Sequence, residues 1–262
     1  MEQYFKVALK AVKEAGSFLL KHFRSVSYSE AEEKKANDWV SFVDKGSENI
    51  IRKRILSQFP FHSFLGEEEG VAGIKSDCVW VVDPLDGTKN FLHGIDFFSI
   101  SCALLDKGEP KLGIVFNPAR DELFYAIKGQ GAFKNGEKIN VSSSVNLERC
   151  LFATAFPFRE KEKFDFLNNI FKKLYFVFSD VRRLGSAALD LCYVAEGIFV
   201  VFYEYGLSIW DIAAGSLIVE EAGGLVTDFQ GGKEYLRTGN IVAGSEKAVA
   251  TVLEAIRGNN DR

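Results

Sequence analysis

The chain lacks most of the features that would assign it to a class at once. Four cysteines, at 78, 102, 150 and 192, are spread through apolar segments and none stands in a CxxC pair. That pattern excludes a disulfide scaffold and a zinc finger, and leaves small buried thiols in a reducing compartment as the expectation. No apolar run approaches the ~20 residues of a membrane span. The segment Met1-Glu2-Gln3-Tyr4-Phe5-Lys6 has no apolar signal-peptide core, so a cytoplasmic protein with no membrane partner is expected. Basic residues do not predominate: 32 Lys and Arg against 36 Asp and Glu give a formal net charge of −4. The footprint of a direct nucleic-acid binder is missing. There are no internal repeats or low-complexity tracts. Gly129-Gln130-Gly131 lacks the third glycine of a dinucleotide loop and lies between strand-like runs, so it reads as a turn.

What is present is organised around Asp83-Pro84-Leu85-Asp86-Gly87-Thr88. Ahead of it, Val79-Trp80-Val81-Val82 reads as a strand buried on both faces. Pro84 cannot donate to a ladder and Gly87 permits a sharp turn, so the strand is expected to stop at Asp83 and the chain to bend. Thr88 to Leu92 can then begin a short helix whose free N–H groups suit an anionic phosphate. Across the bend, Asp83 and Asp86 can share one or two hard cations, with the Leu85 carbonyl as a neutral ligand between them. Taken alone, the motif reads equally well as an ordinary Asp-rich turn.

The 262 residues suffice for one large domain or two intimate ones. A long packing helix is expected on the stripe Tyr4, Ala8, Ala11, Ala15, Phe18 and His22, with His22 semi-buried. The charged run Glu30 to Lys35 is expected to be a solvated, mobile loop. Asp44 reads as the N-cap of a second helix carrying Ile50, Ile51, Ile55 and Leu56. A short strand, Phe61 to Leu65, runs into Gly66-Glu67-Glu68-Glu69-Gly70, in isolation a solvated turn. Segments 97–105, 111–116 and 122–127, and a pair joined at Asn135-Gly136, make an antiparallel meander.

From about Val145 strands and helices alternate: strand 151–156, helix 161–173, strand Tyr175 to Phe178, helix 186–195, strand 198–203. A helix from Asp211 to Ala222 ends at Gly223-Gly224, and strands 225–229 and 241–243 precede a closing helix over 246–256. Two parts are therefore expected. Residues 1–144 form an α+β half with paired helices and antiparallel sheet, and residues 145–262 form an α/β half that supplies Asp211.

Acids now stand at strand ends or helix starts in four separated places: Asp44, Glu67 with Glu68, Asp83 with Asp86, and Asp211. If they converge, each close pair of ionised carboxylates repels by about 4 kcal/mol at an effective dielectric near 20. Divalent cations relieve that repulsion, and all-oxygen donors select Mg²⁺ or Mn²⁺ over zinc.

Gly66-Glu67-Glu68, the stretch from Trp80 through Asp83-Pro84-Leu85-Asp86-Gly87-Thr88 to Phe91, and Trp210-Asp211-Ile212-Ala213-Ala214-Gly215 resemble the inositol monophosphatase family. The likeness covers nearly the whole chain in the right order. It implies an α+β fold, a layered αβαβα sandwich, and hydrolysis of inositol monophosphate, with fructose 1,6-bisphosphate as a further substrate. It implies two or three Mg²⁺ per subunit and a homodimer. Glu67, Asp83 and the Leu85 carbonyl resemble the ligands of a first metal. Asp83, Asp86 and Asp211 resemble those of a second, and Glu67 with water those of a looser third. Asp44 and Thr88 resemble the pair that polarises the attacking water, and Gly87 and Thr88 the phosphate cradle. Glu204, Asp86 and Asp211, with Gly185-Ser186-Ala187, resemble the contacts to the alcohol.

Val40-Ser41-Phe42-Val43-Asp44 departs from the family's usual Val-Thr-x-x-Asp, and the upstream lysine is Lys34 or Lys35. Arg159, Arg182 or Arg183 could hold a second phosphate. A haloacid dehalogenase-like phosphatase is a chemical rival, but its DxDGT spacing is two where this chain has three. The other alternative is an inositol-monophosphatase-like protein whose main role is binding the transcription machinery.

Overall fold

The structure, a computed structural model, describes residues 1–26, 32–35, 38–40, 42–157 and 160–260, with side chains described at all of these except 32–35, 38–40, 259 and 260. In chain order the elements are α1 (Glu2–His22), β1 (Glu32–Lys35), β2 (Asp38–Val40), α2 (Phe42–Gln58), β3 (Ser63–Gly66), β4 (Gly70–Gly73), β5 (Cys78–Asp86) and α3 (Thr88–Leu92). Then come β6 (Ser99–Asp106), β7 (Glu109–Asn117), β8 (Glu122–Ile127), β9 (Ala132–Lys134), β10 (Glu137–Ile139), β11 (Leu151–Thr154), α4 (Phe164–Tyr175) and β12 (Asp180–Arg182). The chain closes with α5 (Ala187–Ala195), β13 (Phe199–Glu204), α6 (Ile209–Glu221), β14 (Leu225–Thr227), α7 (Tyr235–Thr238), β15 (Ile241–Gly244) and α8 (Glu246–Asn260).

Two sheets organise the molecule. An eight-stranded sheet has the order β10-β9-β8-β7-β6-β5-β3-β4, antiparallel except where β3 runs beside β5. A five-stranded sheet has the order β12-β11-β13-β15-β14, with β11 parallel to both its neighbours. Strands of the larger sheet are apolar on both faces because both faces are covered. Trp80, Val82, Ile100 and Cys102 join a core under α1 and α2, while Val81, Ala103 and Val115 join a second core with α5 and α6. A third core lies between the smaller sheet and helices α4 and α8. The result is an αβαβα sandwich with α5 and α6 as its middle layer. Close approach of α6 is possible because β7 carries Gly113, where a Cβ would stand 2.7 Å from the Ala214 carbonyl oxygen.

Several sequence expectations shift. The β5 strand does not end at Asp83: Pro84 and Leu85 form a bulge, and pairing resumes with Asp86 opposite Ser99. A bulge is where a strand tolerates the missing N–H of proline. Helix α2 begins at Phe42, so Asp44 lies within its first turn, 1% exposed, and is not its N-cap. Helix α4 continues through Tyr175 because the Leu167, Ile170 and Leu174 stripe is helical. The expected strand Tyr175 to Phe178 is therefore replaced by Asp180–Arg182, and Phe176 is 85% exposed. Glu32–Lys35 is not a loop but pairs antiparallel with Asp38–Val40, since charged side chains do not prevent a backbone ladder. Glu30, Ser41 and Arg159 lie outside the described residues. All four cysteines are free, and Cys78 is only half-buried. His22 packs against the rings of Phe18 and Phe42. Among the described residues no helix is long and apolar enough to cross a membrane.

Candidate active site

The site opens where β3 and β5 of the larger sheet end beside the amino-terminal turns of α5 and α6. Parallel pairing of β3 with β5 brings Glu67, one residue past Gly66, next to Asp83, and the Glu67 N–H still donates to the Val82 carbonyl at 3.2 Å. The bulge turns Asp83 inward at 2% exposure, and the Leu85 N–H donates to Asp83 Oδ1 at 2.9 Å. Ser47 on α2 fixes the bulge from behind by donating to the Pro84 carbonyl at 2.9 Å. Gly87 then adopts φ 90°, a left-handed conformation that suits glycine, and starts α3.

Asp86 faces the other way, into the amino terminus of α5. Its Oδ2 accepts from Ser186 Oγ at 2.6 Å and from the Ala188 N–H at 2.8 Å. Carboxylates are favoured at such a terminus. Asp211, in the first turn of α6, accepts from the Ser208 N–H at 2.7 Å, and Ser101 on β6 ties this turn to the larger sheet by donating to the Trp210 carbonyl at 2.8 Å. Glu204 sits at the end of β13, 8% exposed, in the same cleft. The cleft is thus walled by both halves of the chain.

Of the residues expected from sequence, Glu67, Asp83, Leu85, Asp86, Gly87 and Thr88 line one face of this cleft, and Gly185, Ser186, Ala187, Glu204 and Asp211 line the other. Asp44 does not line it. It reaches the cleft through Thr88, whose Oγ1 lies 3.1 Å from Asp44 Oδ1 and 3.0 Å from the Leu85 carbonyl, so that the hydroxyl proton can go to either. Of the three candidate arginines, Arg183 lines the cleft, whereas Arg182 donates to Asp180 at 2.6 Å outside it.

Sequence reasoning passed over Lys89, Asn90 and Asp190, which also line the cleft. Asn90 Nδ2 bridges the Phe97 carbonyl at 2.6 Å and the Leu184 carbonyl at 2.8 Å, which fixes the Gly185 turn against α3. The Asn in Thr88-Lys89-Asn90-Phe91 was visible, but no spacing rule assigns it that partner. Asp190 was hidden inside an otherwise apolar helix.

Crowding shows in the acidities. Burial, followed by the Glu67, Asp86 and Asp211 carboxylates, pushes Asp83 well above the usual carboxylate range, against the pull of the Leu85 N–H. Asp86 is pushed up to about 7 by burial and by Asp211, with Ser186, Ala188 and Ala187 holding it back. Among the described residues, no three His, Cys, Asp or Glu side chains close to the spacing of a metal cage. Asp83, Asp86 and Asp211 each give an oxygen to a backbone N–H instead. They surround the cleft rather than meet at a point.

Comparisons with known proteins bear on the fold and the family. The family model described as "Inositol monophosphatase family" matches residues 1–260. "Nus factor SuhB" of Escherichia coli K12 is 43% identical over 258 residues, covering 98% of this chain and 97% of that protein. The crystal structure of extragenic suppressor protein suhB from Bartonella henselae superposes with a TM-score of 0.93 at 40% identity, covering 97% of this chain and 98% of that one. An IMPase of Thermotoga maritima gives a TM-score of 0.89 at 35% identity, covering 100% and 99% of the two chains. With its fold and residues 1–260 in accord, this chain belongs to the inositol monophosphatase family.

Proposed function

We propose that the chain is a Mg²⁺-dependent phosphate monoester hydrolase acting on inositol monophosphate, with fructose 1,6-bisphosphate as a second substrate, by attack of water without a phosphoenzyme. The observation that carries this reading is that Glu67, Asp83, Asp86 and Asp211 line one cleft, although they come from three separate segments. Oxygen donors alone, with pKa values raised by burial and then by mutual repulsion, fit two or three Mg²⁺ ions, or Mn²⁺ in their place. Among the described residues, no imidazole or thiol lines the cleft to favour zinc.

Glu67, Asp83, Asp211, Asp86 and the Leu85 carbonyl would hold those ions. When bound, the ions supply positive charge against the phosphoryl oxygens and make water more acidic. The protein's own part is orientation. Gly87 and Thr88 border the place for the phosphate. The Thr88 hydroxyl, beside Asp44, accepts a hydrogen bond from the attacking water and passes its own proton toward Asp44. Glu204 and the Gly185-Ser186-Ala187 turn face the alcohol.

Purified protein with Mg²⁺ should release phosphate from inositol 1-phosphate, and Asp83→Asn should abolish the release. Absence of turnover on inositol, fructose and nucleotide 3′-phosphates alike would overturn the reading. A homodimer is part of it. The exposed aromatics Phe164, Tyr175 and Phe176 offer an apolar face, and sedimentation would test it.

A second reading, that the chain also binds the transcription machinery, is favoured by its 43% identity to relatives named Nus factors. Binding to purified transcription complexes by the inactive Asp83→Asn variant would separate that role from catalysis.

A further inference from the structure

The cleft is also lined by Asp190, a residue with no assigned role so far. Asp190 lies in the first turn of α5, one helical step from the Ser186 and Ala188 groups that hold Asp86. It is 2% exposed, and its Oδ1 has no hydrogen-bond partner among the described residues. A buried carboxyl oxygen left unmade costs about 1–3 kcal/mol or more, so such a group marks a place that a ligand or bound water completes. Every other residue of α5 is buried and all but Asp190 and Tyr193 are apolar or thiol. A carboxyl in that helix gains nothing for packing that leucine would not supply.

Burial first, then the nearby Glu204 and Asp86 carboxylates, push the pKa of Asp190 well above the usual carboxylate range, and Arg183 pulls it back. This end of the cleft, around Asp190, presents three carboxyl groups and one guanidinium. A second phosphate, itself rich in acceptor oxygens, would find in those carboxyl groups more acceptors than donors. Neutral hydroxyl groups would find acceptors in pairs, and vicinal hydroxyls of a polyol match planar carboxyls two at a time.

We propose that Asp190, together with Glu204, is a specificity-determining residue that receives the hydroxyl groups of a neutral polyol and disfavours a second phosphate at that end. This rests on the phosphatase reading of the same cleft and says which alcohols it selects.

The test compares the full-length protein with Asp190→Asn and Asp190→Ser, each checked for folding by its melting curve. Inositol 1-phosphate, fructose 1,6-bisphosphate and p-nitrophenyl phosphate are assayed with Mg²⁺. The ratio of kcat/KM for inositol 1-phosphate to that for p-nitrophenyl phosphate, which has no hydroxyls to read, should fall about tenfold or more, through KM. The preference for inositol 1-phosphate over the bisphosphate should shrink as well. Equal losses on all three substrates, or an unchanged ratio, would overturn the proposal. Binding of free myo-inositol by calorimetry keeps the two ideas apart. If the parent protein hydrolyses nothing yet binds myo-inositol and Asp190→Asn weakens that binding about tenfold, the phosphatase reading fails and this one stands. If the variant binds as the parent does, this one fails.

Discussion

Glu48, in the second turn of α2, holds the backbone of the acidic loop from below: its two carboxylate oxygens accept the N–H groups of Glu68 at 2.8 Å and Glu69 at 2.9 Å. It is fully buried, and a Cβ at Gly66 would collide with it. Glu48 thus fixes the turn from which Glu67 enters the cleft. Replacing it by glutamine sets an amide donor against a backbone donor, so Glu48→Gln should cost about 1–3 kcal/mol in urea unfolding. It should also weaken Mg²⁺ binding about tenfold by calorimetry, since ligand supports of this kind carry that much. An unchanged Mg²⁺ affinity would mean that the loop holds itself.

The raised pKa values of Asp83 and Asp86 contribute to the pH dependence of the metal-free protein. Below about 4 both are protonated in the folded and unfolded chain alike. Between there and about 7 the folded chain keeps protons that the unfolded chain has lost. Their contribution is therefore present at the acid end and is lost as the pH rises through the folded value. Scanning calorimetry without divalent ions should give a lower Tm at pH 8 than at pH 5.5. Added Mg²⁺ should raise Tm more at pH 8, where protons no longer compete for the carboxylates.

Thr88→Ala removes the hydroxyl that stands between Asp44 and the Leu85 carbonyl. Loss of a positioned proton acceptor lowers kcat by about 10²- to 10⁴-fold, with KM of the same order as in the parent. Steady-state kinetics on inositol 1-phosphate would check this. A fall in kcat of less than about threefold would remove Thr88 from the chemistry.

Gly113→Ala tests the layering itself. A methyl group there would press on the Ala214 backbone, with atoms at 2.7 and 3.0 Å, and helix α6 would have to move away from the larger sheet. Overpacking of this kind costs about 1–3 kcal/mol, read as a lower midpoint in urea. Because α6 carries Asp211, Mg²⁺ affinity should fall with it.

The acidic motifs were legible in the sequence because each stands where regular structure stops, and proline and glycine mark those places. Thus Asp83-Pro84-Leu85-Asp86-Gly87 announced a break, and Trp210-Asp211 a helix start. The nature of the break was less legible. A proline in a strand allows either an ending or a bulge, and the choice was made by Ser99 across the ladder, which local sequence does not contain. Asp190, and the N-cap reading of Asp44, show the complementary failure. Each is a carboxylate inside a helix, where periodicity reports which face is apolar but not what the buried polar residue meets. The strand expected at Tyr175 to Phe178 failed because aromatic residues suit an exposed helix end as readily as a pleated surface.

The middle position of α5 and α6 has a consequence for synthesis. The larger sheet is complete once residue 139 has left the ribosome, yet its inner face, with Val81, Ala103, Val115 and Phe124, is covered by helices encoded after residue 186. Until those helices arrive, the nascent chain displays a broad greasy surface of the kind that chaperones grip and that aggregates seed upon. A truncation before Ile209 would leave a half-molecule that is degraded or clumps, rather than an inert but folded fragment.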